Sequence, residues 1–241
     1  MMRGLQGLIL AGGCGARLLA EGVETPKALV EVAGRPQIVH LIETFVDLGC
    51  ASVTCMVRDD VPGGWERAVA ASDVPVTVLR CRTPSALHTL ALGLSLVQPG
   101  PVFCTLVDTV MAAADWRRVY RGVVDGLELG ALAVLAVTPF VDDERPVYVT
   151  RDAGGLAIAF SDAPVAPAVV TGGVYGFAFE ARLLAGAAAL TLPRLRDFLR
   201  VLVERGGPVA TVEVPRIIDL DHKRDLDAAS AWLGAVDAAA M

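Results

Sequence analysis

From residue 5 to about 138, short and nearly uninterrupted apolar runs alternate with longer stretches in which apolar residues recur every three or four positions. The short runs, at 5–11, 52–57, 75–79, 102–107 and 131–137, have the length and the turn-residue borders of buried strands. The longer stretches, at 36–48, 64–72, 85–97 and 113–124, predict helices. In 36–48 the apolar positions are Ile38, Leu41, Ile42, Phe45 and Leu48, which share one helical face. Strands apolar on both faces and joined by helical crossovers predict an α/β fold with a mostly parallel sheet covered on both sides. On such a sheet, ligands bind beyond the carboxyl ends of the strands.

After residue 138 the rhythm changes. The run RPVYVTRDAGGLAIAFSD reads as a hairpin turning at Asp152–Gly155, and AVVTGGVYGFAFE as a strand broken by a glycine pair. Helical patterns at 179–189 and 193–205 precede a strand at 209–214 and a closing helix at about 222–236. No linker, repeat or low-complexity segment divides the chain. The expectation is a single three-layer α/β/α domain over 1–241, with a small β insertion acting as a lid.

Composition narrows the function classes. Hydrophobic residues make up 54% and charged residues 20%, which fits a compact globular chain. The formal charge is −6 and the basic residues are scattered, which argues against nucleic acid as a partner. No apolar run approaches the roughly 18 residues of a membrane span. Five cysteines (14, 50, 55, 81 and 104), without a CxxC pair, read as reduced and mostly buried thiols of a cytoplasmic protein. Nearly all the basic residues are arginine, and Lys27 and Lys223 are the only lysines.

The candidate chemistry begins where the first strand ends, at LAGGCGARL (Leu10 to Leu18). Gly12, Gly13 and Gly15 open the backbone, so that its N–H groups can approach an anion closely. Arg17 adds a planar cation suited to phosphate and Lys27 a point charge. The glycines alone are equally compatible with a tight turn. A P-loop, GxxxxGK[ST], is absent, and the dinucleotide fingerprint fails because Leu18 stands at its third small position.

Taken together, LAGGCGARL and PKALVEVAGRPQI (Pro26 to Ile38) resemble the double signature of nucleotidyltransferases of the sugar-nucleotide pyrophosphorylase and cytidylyltransferase type, LAGGxGxRL followed by PKxLxxVxGxPxI. The resemblance implies a Rossmann-like nucleotidyltransferase fold in which 1–138 binds nucleotide and 139–241 binds the acceptor and closes the domain. The implied reaction is attack of a small phosphate monoester on the α-phosphate of a nucleoside triphosphate, releasing pyrophosphate. Leu10, Ala11, Gly12, Gly13 and Gly15 would then hold the nucleotide. Arg17 would neutralise the leaving pyrophosphate, and Lys27 the charge developing at the α-phosphate. Mg²⁺ is the implied cofactor, with Asp108, after the fourth strand, as one ligand. The closing run IIDLDHKRDLDAA supplies the second: Asp219 is preferred and Asp221 is the alternative, because Asp221 also suits the N-cap of the last helix.

The segment CRTPSALHTL lacks the QxxGTA pattern of uridylyl- and thymidylyltransferases and looks closer to cytidylyltransferases of the phosphocholine type. It makes CTP the leading nucleotide, with Thr83 and Ser85 as base contacts, and leaves His88 as a packed or hydrogen-bonded helix residue. VVTGGVYGF resembles the strand lining the acceptor site, with Gly173 and Tyr175 as acceptor contacts. The Glu-Lys-Pro common before that strand is replaced by Ser161–Pro164 without a lysine, and Arg145 and Arg151 are candidate replacements for its charge. The resemblance also allows a homodimer. The rival reading is a catalytically silent, nucleotide-sensing domain of the same fold.

Overall fold

The computed structural model describes residues 4–142 and 144–240. In chain order its elements are strand β1 (Gln6–Ala11), helix α1 (Ala16–Ala20), a 3₁₀ turn (Lys27–Leu29), β2 (Glu31–Val32), β3 (Arg35–Pro36), α2 (Gln37–Asp47), β4 (Ser52–Arg58), α3 (Glu66–Val69), β5 (Val76–Cys81), α4 (Ala86–Leu96), β6 (Val102–Leu106), β7 (Thr109–Val110) and α5 (Ala113–Glu128). There follow β8 (Ala133–Thr138), β9 (Tyr148–Arg151), β10 (Ala157–Ser161), β11 (Val170–Phe177), α6 (Phe179–Ala189), α7 (Leu195–Glu204), β12 (Val209–Glu213), β13 (Ile218–Asp219) and α8 (Lys223–Ala240).

One sheet runs through both halves of the chain. β1 lies between β4 and β6, parallel to both, and β5 extends the parallel set beyond β4. β11 returns antiparallel beside β6, and β8 with its parallel partner β12 continues on the other side. The β9–β10 hairpin joins at the head of β11, through the Val170–Tyr148 pairing. This is the expected mixed α/β sheet, and the hairpin turn falls at Asp152–Gly155, where Gly155 N–H reaches Asp152 O at 3.1 Å.

Alternation along the central strands sorts the two helical layers. Ile9, Val53, Cys55, Phe103 and Val134 face α2 and α5, whereas Leu8, Leu10, Met56, Cys104 and Leu135 face α4, α6 and α7. A third apolar cluster joins Leu18 of α1, Val110, Ile218 and Leu220 to Ala229 and Leu233 of α8. Three predicted features differ in detail. The helix expected at 64–72 is only the single turn α3, and α1 begins within the first signature motif and ends just beyond it. The short pair β7–β13 was not foreseen; strands of two residues leave no periodicity to read.

Gly7 interrupts the apolar run of β1 for a packing reason. A Cβ there would lie 2.6 Å from the Phe45 ring, which covers the strand at that point. Phe45 is fully buried, with ring centroids 4.9 Å from Phe103 and 6.1 Å from Trp116. Phe45→Ala removes the centre of this cluster and should cost about 3–5 kcal/mol. Equilibrium urea unfolding will measure it, and a loss below about 1 kcal/mol would show that the layer repacks.

Candidate active site

Because β1, β4, β5 and β6 are parallel, their carboxyl ends share one edge, and the candidate residues gather there. Gly15 takes a left-handed conformation (φ 61°, ψ 37°) as it enters α1, and a Cβ on it would sit 3.4 Å from Lys27 Cβ. Gly12 faces the other wall: a Cβ there would lie 2.8 Å from Thr89 Oγ1. That hydroxyl pairs with Thr83 Oγ1 at 2.6 Å and donates to Ser85 O at 3.1 Å. Ser85 Oγ is itself bonded to His88 Nδ1 at 2.8 Å, so His88 is a hydrogen-bonded helix residue, as expected. The loop, Thr83 and Ser85 enclose a cavity of about 390 Å³, into which Leu10, Arg17, Lys27 and Asp108 also project. Ala11, an expected nucleotide contact, is buried at the end of β1 and is not among the residues lining the cavity. Among the lining residues that sequence reasoning missed are Thr89 and Arg58. Arg58 ends β4, the neighbour of β1, and its place at a strand's carboxyl end was the available signal.

At the floor of this cavity Lys27 is 8% exposed, and its ammonium donates to Asp108 Oδ2 at 2.7 Å and to Asp221 Oδ1 at 2.6 Å. Arg17 Nη1 donates to the second Asp221 oxygen. Burial alone would lower the lysine pKa, but the charges and hydrogen bonds of Asp108 and Asp221 outweigh it and raise the pKa above its ordinary value. Burial pushes Asp221 up, and Lys27 and Arg17 more than offset this, so its carboxyl sits below the usual range.

The β7–β13 pair brings these distant carboxylates together. Asp219 pairs with Thr109, and Leu220 N–H donates to Asp108 O at 2.9 Å. The buried Gln37 side chain ties down Thr109 O at 2.9 Å. Asp221 does not cap the last helix. Asp225 Oδ2 accepts the N–H groups of Asp221 and His222 at 3.0 and 2.6 Å, the reach-back of a capping box, which leaves the Asp221 carboxylate for the site. Asp219 instead lines the cavities on the β11 side, beside Thr171. There the register of β11 shifts between Thr171 and Tyr175, and Gly173 takes a positive φ of 72°. A Cβ on Gly173 would lie 2.5 Å from Thr109 Oγ1. Tyr175 is buried and stacks on Phe177 at 5.7 Å.

Asp108 Oδ1 is buried and makes no hydrogen bond with the described residues. With the Asp221 carboxylate it offers hard oxygen donors of the kind Mg²⁺ takes. No cluster of three or more His, Cys, Asp or Glu side chains able to hold a metal exists among the described residues. Two carboxylates completed by phosphate and water oxygens are the usual setting for Mg²⁺, so the residues fit that ion.

His222 is not the exposed first-turn residue its position suggests. Its Nδ1 meets Glu21 Oε1 at 2.5 Å, and its Nε2 lies 3.3 Å from Glu144 Oε1, linking α1, the 139–147 segment and α8. The Glu21 hydrogen bond, with the charges of Glu21, Glu144 and Asp225, outweighs desolvation and raises the His222 pKa above 6.5. Protonation therefore favours the folded tie. Its contribution is complete below the unfolded value near 6.5 and is lost as pH rises through the higher folded value. An NMR titration of metal-free protein should place the His222 midpoint above 6.5, and Glu21→Gln should lower it; an unmoved midpoint would break the assignment.

The mannose-1-phosphate guanylyltransferase catalytic subunit beta of Drosophila melanogaster is 46% identical over 54 residues, which are 22% of this chain. The match spans only 15% of that relative's length. The inositol-1-phosphate CTP transferase of T. maritima shares the fold with a TM-score of 0.78 at 15% identity, covering 97% of this chain and 96% of that one. The UDP-glucose pyrophosphorylase of Acinetobacter baumanii gives 0.77 at 16% identity, over 96% and 93% of the two chains. No helix among the described residues is long and apolar enough to cross a membrane. Residues 7–204 match the MobA-like NTP transferase domain, and the chain belongs to that family.

Proposed function

We propose that the protein is an Mg²⁺-dependent nucleotidyltransferase that joins the nucleotidyl group of a nucleoside triphosphate to a small phosphate monoester and releases pyrophosphate. The observation that carries this reading is the buried Lys27 ammonium held between Asp108 and Asp221 at the foot of the glycine loop. The loop N–H groups and Arg17 receive the triphosphate, and Lys27 lies where charge grows on the α-phosphate. An oxygen of the acceptor phosphate forms the new bond to α-phosphorus. The bond to the bridging oxygen breaks, and pyrophosphate departs with that electron pair. Asp108 and Asp221 would hold the metal, which when bound would supply charge neutralisation at the phosphoryl oxygens. We place Asp221 ahead of Asp219 as the second ligand because Asp221 shares the Lys27 ammonium with Asp108. Asp219 faces the acceptor side with Gly173 and Tyr175.

CTP leads among the triphosphates. The resemblance of residues 81–90 to cytidylyltransferases supports it, as does the fold shared with an inositol-1-phosphate CTP transferase. The acceptor class, a sugar or polyol phosphate, is supported by the similar mannose-1-phosphate guanylyltransferase and by the fold shared with the inositol-1-phosphate CTP transferase.

Pyrophosphate release, measured for the five common triphosphates against sugar 1-phosphates, polyol phosphates and phosphocholine, tests the reading. Turnover with at least one pair is expected, whereas tight nucleotide binding without turnover would favour a nucleotide sensor. Asp108→Asn should lower kcat by about two orders of magnitude or more with an unchanged circular dichroism spectrum. A variant with near-normal kcat would remove Asp108 from the metal site. Asp221→Asn and Asp219→Asn, compared for Mn²⁺ affinity in the presence of nucleotide, should separate the two candidates, with the larger loss at Asp221.

A further inference from the structure

Helices α4 and α6 pack against each other and share an outer surface unlike the rest of the molecule. Among the described residues ten large apolar side chains stand exposed, and five of them lie here: Leu92 and Leu96 on α4, and Phe179, Leu183 and Leu190 along α6 and at its end. Leu183 is 75% exposed and Leu190 86%. On α6 the exposed positions are 179, 180, 183, 186, 187 and 190, one stripe at helical spacing. α4 carries no Asp, Glu, Lys or Arg, and α6 carries only Glu180 and Arg182. Arg182 is engaged elsewhere, since its Nε and Nη2 donate to Leu94 O and Val97 O at the C-terminal end of α4. A contiguous surface this apolar, on a chain of formal charge −6, marks a site of association.

Shape and charge along the stripe both point to a second copy of this chain. Gly186 lies inside the helix, where glycine is a poorer helix former than alanine. Neither a positive φ nor a neighbour requires it there: a Cβ on Gly186 would meet nothing within 4 Å. With the exposed Ala187 beside it, Gly186 leaves a notch between Leu183 and Leu190. A notch flanked by two leucines on one helix is complementary to the same helix laid antiparallel across it. The charges follow the same symmetry. Glu180, in the first turn of α6, has no hydrogen bond or ion pair with the described residues. Just beyond the other end, Arg194 donates to Asp197 through Nε and Nη2 at 2.9 and 3.0 Å, and its Nη1 makes no hydrogen bond with the described residues. The 11 residues of α6 span about 16 Å, which keeps these two groups apart within one chain. A two-fold axis through 186 and 187 brings Glu180 of each protomer to the end of the partner helix, where the partner's Arg194 stands, and sets the two helix dipoles in opposition.

We propose that the α4–α6 face is the interface of a homodimer in which α6 crosses its two-fold copy at Gly186 and Ala187, and Glu180 of each protomer pairs with the partner's Arg194. Leu183 and Leu190 seat in the opposing notch, and Leu92, Leu96 and Phe179 extend the apolar contact over α4. None of these five apolar residues lines the nucleotide cavity, so the contact leaves it open.

Sedimentation velocity of the full chain across the micromolar concentration range tests the interface. The wild type should sediment as a reversible dimer. Leu183→Glu and Leu190→Glu should each raise the dissociation constant about a hundredfold or more, because each substitution enters a two-fold interface twice. Their circular dichroism spectra should match the wild type, both side chains being exposed in the single chain. Gly186→Leu fills the notch and should abolish the dimer without lowering the thermal midpoint of the monomer, since the added side chain meets nothing within its own chain. Glu180→Arg and Arg194→Glu should each weaken the dimer, and the double exchange should recover most of the lost affinity. The Arg194→Glu chain keeps Asp197 paired, through Arg200 Nη1 at 2.9 Å. A wild type that stays monomeric, a Leu183→Glu variant that dimerises as tightly as the wild type, or a double exchange no tighter than the single ones overturns the assignment. None of these outcomes bears on the nucleotidyltransferase reading, which pyrophosphate release tests separately.

Discussion

The site depends on one buried ammonium. Lys27 lies between two carboxylates that are 113 positions apart in the chain, Asp108 and Asp221, and it neutralises them at hydrogen-bond distance. Desolvating a lone cation at this depth would be prohibitive, and desolvating two facing carboxylates without it equally so. Only as a triad, extended by Arg17, can these groups occupy the floor of a cavity. Lys27 is the buried member and the two carboxylates are partly exposed, so removing one costs less than the loss of about 3–5 kcal/mol for a fully buried pair. The interaction that organises the substrate site is therefore also part of what closes the fold there.

The triad can form because the backbone delivers its members to one sheet edge. Parallel β1 and β6 end side by side and present the glycine loop and Asp108 together. The C-terminal segment reaches the same edge only through the β7–β13 clasp, fixed by Leu220 N–H on Asp108 O and by Gln37 on Thr109 O. Asp225 then takes the helix-capping duty that would otherwise have drawn Asp221 away. Among the described residues, Arg17, Lys27 and Arg58 line the loop cavity with Asp108 and Asp221, and Asp142, Glu144, Asp219 and Asp225 line the pocket on the other side of Asp221.

Much of this was legible before any coordinates. Uninterrupted apolar runs located β1, β4, β6 and β8 to within two residues, because strands buried on both faces tolerate few other residues. The double motif brought Gly12, Gly15, Arg17 and Lys27 to attention, and the strand-end rule found Asp108. The choice between Asp219 and Asp221 was not legible. Two residues apart, both acidic and both near a helix start, they are separated only by side-chain direction at the end of β13 and by Asp225's reach-back bond.

The scarcity of lysine has a physical reading at this one place. The chain carries 21 basic residues, and all but Lys27 and Lys223 are arginine. A guanidinium suits planar, two-pronged recognition, as in the Arg82–Asp59 and Arg194–Asp197 pairs. Between Asp108 and Asp221 the geometry is different: the two acceptor oxygens belong to separate side chains, and in the proposed reaction a phosphate oxygen would take a share of the same charge. A compact ammonium with three rotatable donors can hold both carboxylates and still turn one N–H towards a ligand. An arginine forked onto either aspartate would fix its donors in one plane and fill part of the cavity above the pair. The one lysine in the signature is thus the side chain least replaceable by the residue this sequence uses everywhere else.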